Sequence, residues 1–278
     1  SGSVERRRTA PRGRSARILH LLPLRDVRRL TDFLADLETF QGVVENSKAG
    51  RGSVAAPSFL HPYLAAGLLA HDFLSQRPVV VVAPSEEAAE ALARELALYV
   101  PERSVFHLPA RDVWYGPQAE VAPRVAGRRA RALAALQRGS SAGEGATGPG
   151  VLVVGATALL EPVLPAAGRP FAFAVGATCD GETLVRGLVA AGYQRRDQVE
   201  DPADFAVRGG LLDVFPTTEP TPVRIEFWGD EIESIRSFSV YTQRSLGRRD
   251  EVAVWAARED AEAEPASLPS LLPSDTHL

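Results

Sequence analysis

Three side chains in the stretch "VRGGLLDVFPTTEPTPVRIEFWGDEIESIRSFSV" (Val207 to Val240) combine charge with aromatic surface: Arg208, Arg224 and Trp228. No catalytic base, thiolate or metal-ligand pair accompanies them, so the chemistry they offer is recognition. A guanidinium presents a rigid fork of N–H donors to carboxylates, and Arg and Trp are the residue types most enriched where interfaces concentrate binding energy. In "PVRIEFWGD", Val223, Ile225 and Phe227 alternate with Arg224, Glu226 and Trp228. A strand with this period turns the first set to a core and the second outward. Two readings fit the pattern. Either the outward set is a docking face, or Arg208 and Arg224 form routine surface pairs with Glu226 or Asp213 while Trp228 packs under a loop. Gly209 and Gly210 permit a bulge that re-aims Arg208, or a close backbone approach by a partner.

The elements that hold these residues follow from the flanking sequence. "LRDVRRLTDFLADLETF" (24–40) puts Leu30, Phe33, Leu34 and Leu37 on one helical face, and "NSKAGRGSVAAPSF" then reads as a loop. "LAAGLLAHDFL" predicts a buried helix and "PVVVVA" a strand apolar on both faces. Ser85, with Glu86 and Glu87 behind it, starts a helix that buries Leu92, Leu96 and Tyr99. "SVFHL", "PRVAGRRARALAAL" and "VLVVG" continue the strand–helix alternation. This predicts an α/β domain: a mostly parallel sheet with helices on both faces. After Pro165 the pattern changes to one short helix, "CDGETLVRGLVAAGY", and then to strands with short turns, an antiparallel α+β insert of about 80 residues.

The expected organisation is a basic tail at 1–17, the first part of the α/β domain at 18–168 and the insert at 169–250. A return to the first domain at 251–262 and an unstructured Pro/Ser-rich tail at 263–278 complete it. The Gly/Ser-rich 138–150 predicts a flexible surface loop. Residues 1–17 carry six arginines against Glu5, about +5 within a net charge of −4, leaving about −9 elsewhere. The tail, and a helix face bearing Arg128, Arg129 and Arg131, offer weak DNA contact at most, because an acidic body is a poor nucleic-acid platform. The apolar runs are too short to cross a bilayer and no apolar leader opens the chain, so a soluble protein without membrane contact is expected. One cysteine, Cys179, fits a reducing cytoplasm. The lack of any methionine points to a piece of a longer chain.

Enzymatic chemistry finds few carriers. A phosphate-binding loop needs GxxxxGK[ST], but the only lysine is Lys48, and Pro57 and Pro62 remove donors from the loop ahead of "LAAGLLA". His20, His61, His71, His107 and His277 are scattered without zinc spacing. There is no GxSxG, and Asp180 beside Cys179 disfavours a thiolate. Gly229-Asp230 reads as a turn between alternating strands rather than an acidic metal site. No catalytic, cofactor or metal residue is therefore expected.

"RGGLLDVFP…PVRIEFWGDEIESIRSFSV…QRS", with "PVVVVAP", "LPARDVWYGPQAE", "VLVVGATALLEPVLP" and "LVAAGYQRRDQVEDPADFAVRGG" upstream, resembles the UvrB-like N-terminal module of the bacterial transcription-repair coupling factor family over about residues 60–256. The resemblance implies a helicase-like sheet with a degenerate P-loop, and an insert similar to the second domain of UvrB, which docks UvrA. It places the UvrA-contacting arginines at Arg208 and Arg224 and the contact aromatic at Trp228, where a smaller aromatic is the family pattern. The segment between "ARDVWYGPQAE" and "PRVAGRR" is too short for the DNA-probing hairpin of UvrB. The resemblance also implies a longer protein with an RNA-polymerase-binding domain and a DNA-translocating motor using ATP and Mg²⁺, the present residues being a non-catalytic recruitment module without cofactors. The other function that the residues allow is a UvrB-like or helicase half with residual nucleotide or DNA binding.

Overall fold

The alternation of apolar strands and amphipathic helices is realised in a computed structural model that describes residues 29–50, 52–100, 105–111, 120–137 and 150–278. The basic tail, residues 112–119 and all of the Gly/Ser-rich stretch except Gly150 lie outside the described residues. The described residues up to Val54 form one unit and those from Ala55 onward another. In the first, the helix expected to run through Phe40 is broken into α1 (Arg29–Ala35) and α2 (Glu38–Lys48). Leu37 is extended, with φ −91° and ψ 120°, and the Gln41 amide caps the Ala35 carbonyl at 2.8 Å. The break buries Leu34, Phe40 and Val44 and leaves Phe33 and Leu37 exposed. It also carries α2 through residues expected to be a loop.

In the second unit, α3 (His61–Ala70) and α4 (Asp72–Ser75) lead to β1 (Val79–Ala83), followed by α5 (Glu86–Tyr99), β2 (Val105–Leu108), α6 (Pro123–Gln137), β3 (Val151–Gly155) and α7 (Ala156–Leu160). The three strands form a parallel sheet in the order β1-β3-β2. Alternate residues explain the two covering layers. Val79, Ala83, Val151 and Val153 pack with α3 and α5, whereas Val80, Leu152 and Val154 pack with α6 and α7. Only the central β3 is buried throughout; Val82 on the edge strand β1 is exposed, against the expectation of a doubly buried strand. Ser85 caps α5 by accepting the Ala88 N–H at 3.2 Å.

The insert contains β4 (Phe171–Ala174), α8 (Gly181–Ala190), β5 (Gln194–Arg195), β6 (Asp204–Arg208), β7 (Leu211–Val214), β8 (Val223–Trp228), β9 (Glu231–Phe238), β10 (Ser245–Arg249) and β11 (Glu251–Val254). A six-stranded sheet runs β10-β9-β8-β7-β6-β5, antiparallel except for the β5–β6 pair. Residues 251–254, expected to return to the first domain, instead pair as β11 with β4, and Val252 and Val254 join the insert core around Phe205, Ile225 and Ile235. The return comes later, at Glu259. Its carboxylate is gripped by Arg111 Nε at 2.8 Å and Arg129 Nε at 2.7 Å, with all three side chains buried. Gly127 on α6 completes the junction: a Cβ there would lie 1.9 Å from Thr217 Oγ1, so only glycine admits this approach.

The Pro/Ser-rich end is ordered rather than unstructured. Val163 and Ala266 exchange backbone hydrogen bonds, α9 (Leu268–Leu271) sets Leu268 in the core beside Val154, and His277 bridges to Val79. Leucines spaced through "SLPSLLP" outweigh a composition that resembles a linker. No helix among the described residues is long and apolar enough to cross a membrane.

Leu268 is 0% exposed, so Leu268→Ala is expected to cost about 2–4 kcal/mol in urea unfolding. A second expectation concerns Tyr193, whose hydroxyl donates to the Trp255 carbonyl at 2.8 Å. Burial pushes the phenol up to about 12, against an opposing hydrogen bond from Thr217. The unfolded value is about 10, so the folded chain holds the proton more tightly. This stabilisation is complete below about pH 10 and is lost as pH rises toward about 12. Unfolding free energies across that interval should fall, and Tyr193→Phe should flatten the fall.

Candidate docking surface

Burial of one face of the six-stranded sheet fixes what the other face shows. Leu212, Val223, Ile225 and Ile235 turn to the core with α8, so residues of opposite parity face outward. Cross-strand register lines up Ala206, Asp213, Arg224, Arg236 and Arg248 in one row on that face, whose Ala206 and Asp213 end is buried, with Ala206 packed beside Val199, Phe215 and Phe238. The neighbouring row holds Arg208, Leu211, Glu226 and Ser234, and beyond it Trp228 stands opposite Glu231. With strands about 4.8 Å apart and residues about 3.3 Å apart, Arg208, Arg224 and Trp228 form a triangle with backbone sides of roughly 12–13 Å. A partner footprint of about 800 Å² spans all three.

The three side chains have different surroundings. Trp228 is 81% exposed and packs under no loop. Arg208 is exposed and donates through Nη2 to the Asp197 carbonyl. Arg224 is only 25% exposed; its Nε and Nη2 bind the two Asp213 oxygens at 2.7 and 2.8 Å, and its guanidinium carbon lies 4.8 Å from the Phe238 ring centre. The hydrogen bonds from Arg224 to Asp213 hold the guanidinium more firmly protonated than usual. Arg224 thus follows the ion-pair reading of the sequence, whereas Trp228 stands free.

Sequence reasoning missed Arg236 and Arg248. Both gain their place only from strand register, and the short β10, "SLGRR", carries no strong alternation. Arg236 is bound to Glu226, which also accepts from the Ser234 hydroxyl at 2.5 Å. Those two donors, the Ser234 hydroxyl first, hold Glu226 below the usual carboxylate range. The Gly209-Gly210 pair is not a bulge but the two-residue turn joining β6 to β7, with Gly209 at φ +59°. The close backbone approach is made by β8 of the same sheet: the Gly210 carbonyl accepts the Phe227 N–H at 2.8 Å, and a Cβ at Gly210 would lie 2.9 Å from the Phe227 oxygen.

Open α/β sheets take ligands at the carboxyl ends of their strands. Here the successive amides of Ala110 and Arg111, just past β2, already donate to Glu86 at 2.9 Å and to Glu161 at 2.7 Å. On α6, Arg129 is committed to Glu259, Arg128 binds Glu90 at 3.1 Å, and Arg131 lies over the Phe106 ring at 5.6 Å. The cations weighed as a DNA-facing helix surface are engaged within the fold.

Residues 171–259, the strands and helix that build this surface, match the UvrB interaction domain family. The insert is therefore a domain of that class. The chain is 43% identical to the transcription-repair-coupling factor of Myxococcus xanthus over 191 residues, 66% of the chain and 15% of that protein. Against the Mycobacterium tuberculosis (strain CDC 1551 / Oshkosh) transcription-repair-coupling factor it is 34% identical over 256 residues, 88% of the chain and 20% of that protein. With the Bacillus subtilis (strain 168) protein of the same name it shares 27% over 189 residues, 66% of the chain and 15% of that protein. The chain belongs to the transcription-repair-coupling factor family, as its UvrB-like N-terminal module. It spans 15 to 20% of the length of these relatives.

The geometry separates structural from surface arginines. Asp213→Ala strands the half-buried Arg224 fork and is expected to cost about 1–3 kcal/mol, whereas Arg208→Ala should stay within about 0.5 kcal/mol. Paired urea titrations of the two variants measure the contrast.

Proposed function

We propose that this chain is a non-catalytic recruitment module for transcription-coupled nucleotide excision repair, docking UvrA on the outer face of the insert. The observation that carries the reading is Trp228: a large indole 81% exposed on a strand whose core is complete without it. Such residues anchor interfaces by filling a pocket on the partner. Arg208 stands on the same face with most of its donors free for carboxylates, and Arg224 adds its positive charge from within the Asp213 pair. The match of residues 171–259 to the UvrB interaction domain supports this choice of surface.

The parallel sheet is read as a helicase-like sheet with a degenerate P-loop. In support, α3 begins with Pro62 in its first turn and without a side-chain cap, and the amides past β2 are occupied by Glu86 and Glu161. A helix start with fewer free N–H groups is a weaker cradle for phosphate. Contacts with RNA polymerase and duplex DNA, and ATP-driven translocation, belong in this reading to other parts of a family protein.

Binding of purified UvrA to the chain tests the proposal. Trp228→Ala and Arg208→Ala should each weaken binding by about 30- to 1,000-fold, the span of hot-spot truncations of about 2–4 kcal/mol. Both variants should keep wild-type thermal stability. Retention of full affinity by both removes the docking role.

A further inference from the structure

Resting on the docking reading above, we infer that Arg248, on the edge strand β10, is a further contact residue that takes a carboxylate of an acidic protein partner. The argument starts from the outer row of cations. Register places Arg224 opposite Arg236 and Arg236 opposite Arg248, so three guanidinium groups follow one another across β8, β9 and β10. Cβ atoms directly opposite on neighbouring strands are about 4.5–5.5 Å apart, and like charges at that spacing destabilise a sheet. The fold neutralises two of the three. Asp213 takes the Arg224 fork, and Glu226 takes Arg236.

Arg248 is left. It is exposed, and among the described residues its side chain makes no hydrogen bond or ion pair. Its neighbour Arg249 has the opposite parity and is bound to Glu219 at 2.7 Å. An edge strand gains protection from any charge, and Arg249 with Glu219 already provides one. An unneutralised cation at the end of a row of cations carries a repulsive cost that an external carboxylate removes. An open hollow of about 380 Å³ lies beside it, lined by Arg236, Arg248 and Arg249 and by the carboxylates of Glu226, Glu233 and Asp250; Arg236 takes Glu226, and Arg249 takes Glu219.

The charge pattern selects the class of partner. Among the described residues, Arg208 and Arg248 are the outward strand cations of this sheet that no side-chain carboxylate neutralises, on strands four spacings apart, roughly 20 Å by sheet geometry. Around Trp228, among the described residues, the cations are missing: Glu231 and Glu233, the latter shared with the first hollow, line a second one of about 440 Å³. A complementary partner presents carboxylates toward β6 and β10 and a non-acidic pocket to the indole. Nucleic acid fits poorly, since residues 171–259 hold ten arginines against fifteen carboxylates and the acid flanking Trp228 repels a phosphate backbone.

The test measures UvrA affinity for the 278-residue chain and its Arg248→Ala, Arg248→Glu, Arg208→Ala and Trp228→Ala variants, over a salt series. Arg248→Ala is expected to weaken binding about 5- to 30-fold, Arg248→Glu more, and both to flatten the salt dependence, as for a charge at an interface rim. If Trp228→Ala and Arg208→Ala weaken binding while both Arg248 variants bind like wild type at every salt concentration, the inference falls and the docking reading survives. If no variant weakens binding, the docking reading fails and the inference with it. A single-stranded or duplex oligonucleotide that competes with UvrA and loses affinity in the Arg248 variants would make the face a phosphate platform, which also overturns the inference. Unchanged thermal unfolding of Arg248→Ala excludes a folding defect.

Discussion

Everything displayed by the insert depends on one constraint, the pairing register of β8. Its side chains alternate with a period of two, and Val223, Ile225 and Phe227 have their places against α8, β4 and β11. A slip of one residue would drive Arg224, Glu226 and Trp228 into that core and push the aliphatic set into water. Burial of two charges without partners costs several kcal/mol each, more than the loss of any single surface contact. The outer face is thus specified largely from behind, by the apolar packing of the inner one.

Charges in this protein divide by the company they keep. Glu259 lies between Arg111 and Arg129 and closes the chain back onto α6, a buried arrangement in which any one member alone would be untenable. Asp213–Arg224 and Glu226–Arg236 occupy a middle level: half-buried, geometrically fixed, holding the sheet's outer surface in shape. Arg208 and Trp228 form the outermost level, where exposure is high and the fold gains little. In the docking we propose, recognition draws on that level because a partner supplies what the fold withholds, desolvation of the indole and a counter-charge for the guanidinium.

Much of this was legible in the residues. The Ser85 cap, the Gly229-Asp230 turn and the continuous apolar run of β3 obey rules that act over a few residues, and the structure follows them. The outward set Arg224, Glu226 and Trp228 was legible for the same reason, since alternation alone assigns faces. What could not be read depends on contacts distant in sequence. Arg129 sits in a helix rich in arginine, yet it is buried by a carboxylate 130 residues later. Arg236 and Arg248 join the outer row only through register. At Gly209-Gly210 the residues allow a bulge or a close backbone approach, and they do not tell that the approaching backbone is β8, on the far side of a Pro/Thr loop. Composition misjudges the Pro/Ser-rich end because it is blind to a leucine that packs beside Val154 and Val163.

That end segment bears on how the protein comes to be made. Leu268 lies in the apolar layer beneath the parallel sheet, and His277 bonds to the edge of β1, almost two hundred residues upstream. A nascent chain leaving the ribosome therefore cannot finish its first layer when its first strands emerge. Leu268 and His277 can join that layer only after the insert has been synthesised. The later part, with its hairpins close in sequence, is free to close early. Completion of the layer around β1 and β3 thus waits on residues translated after the insert.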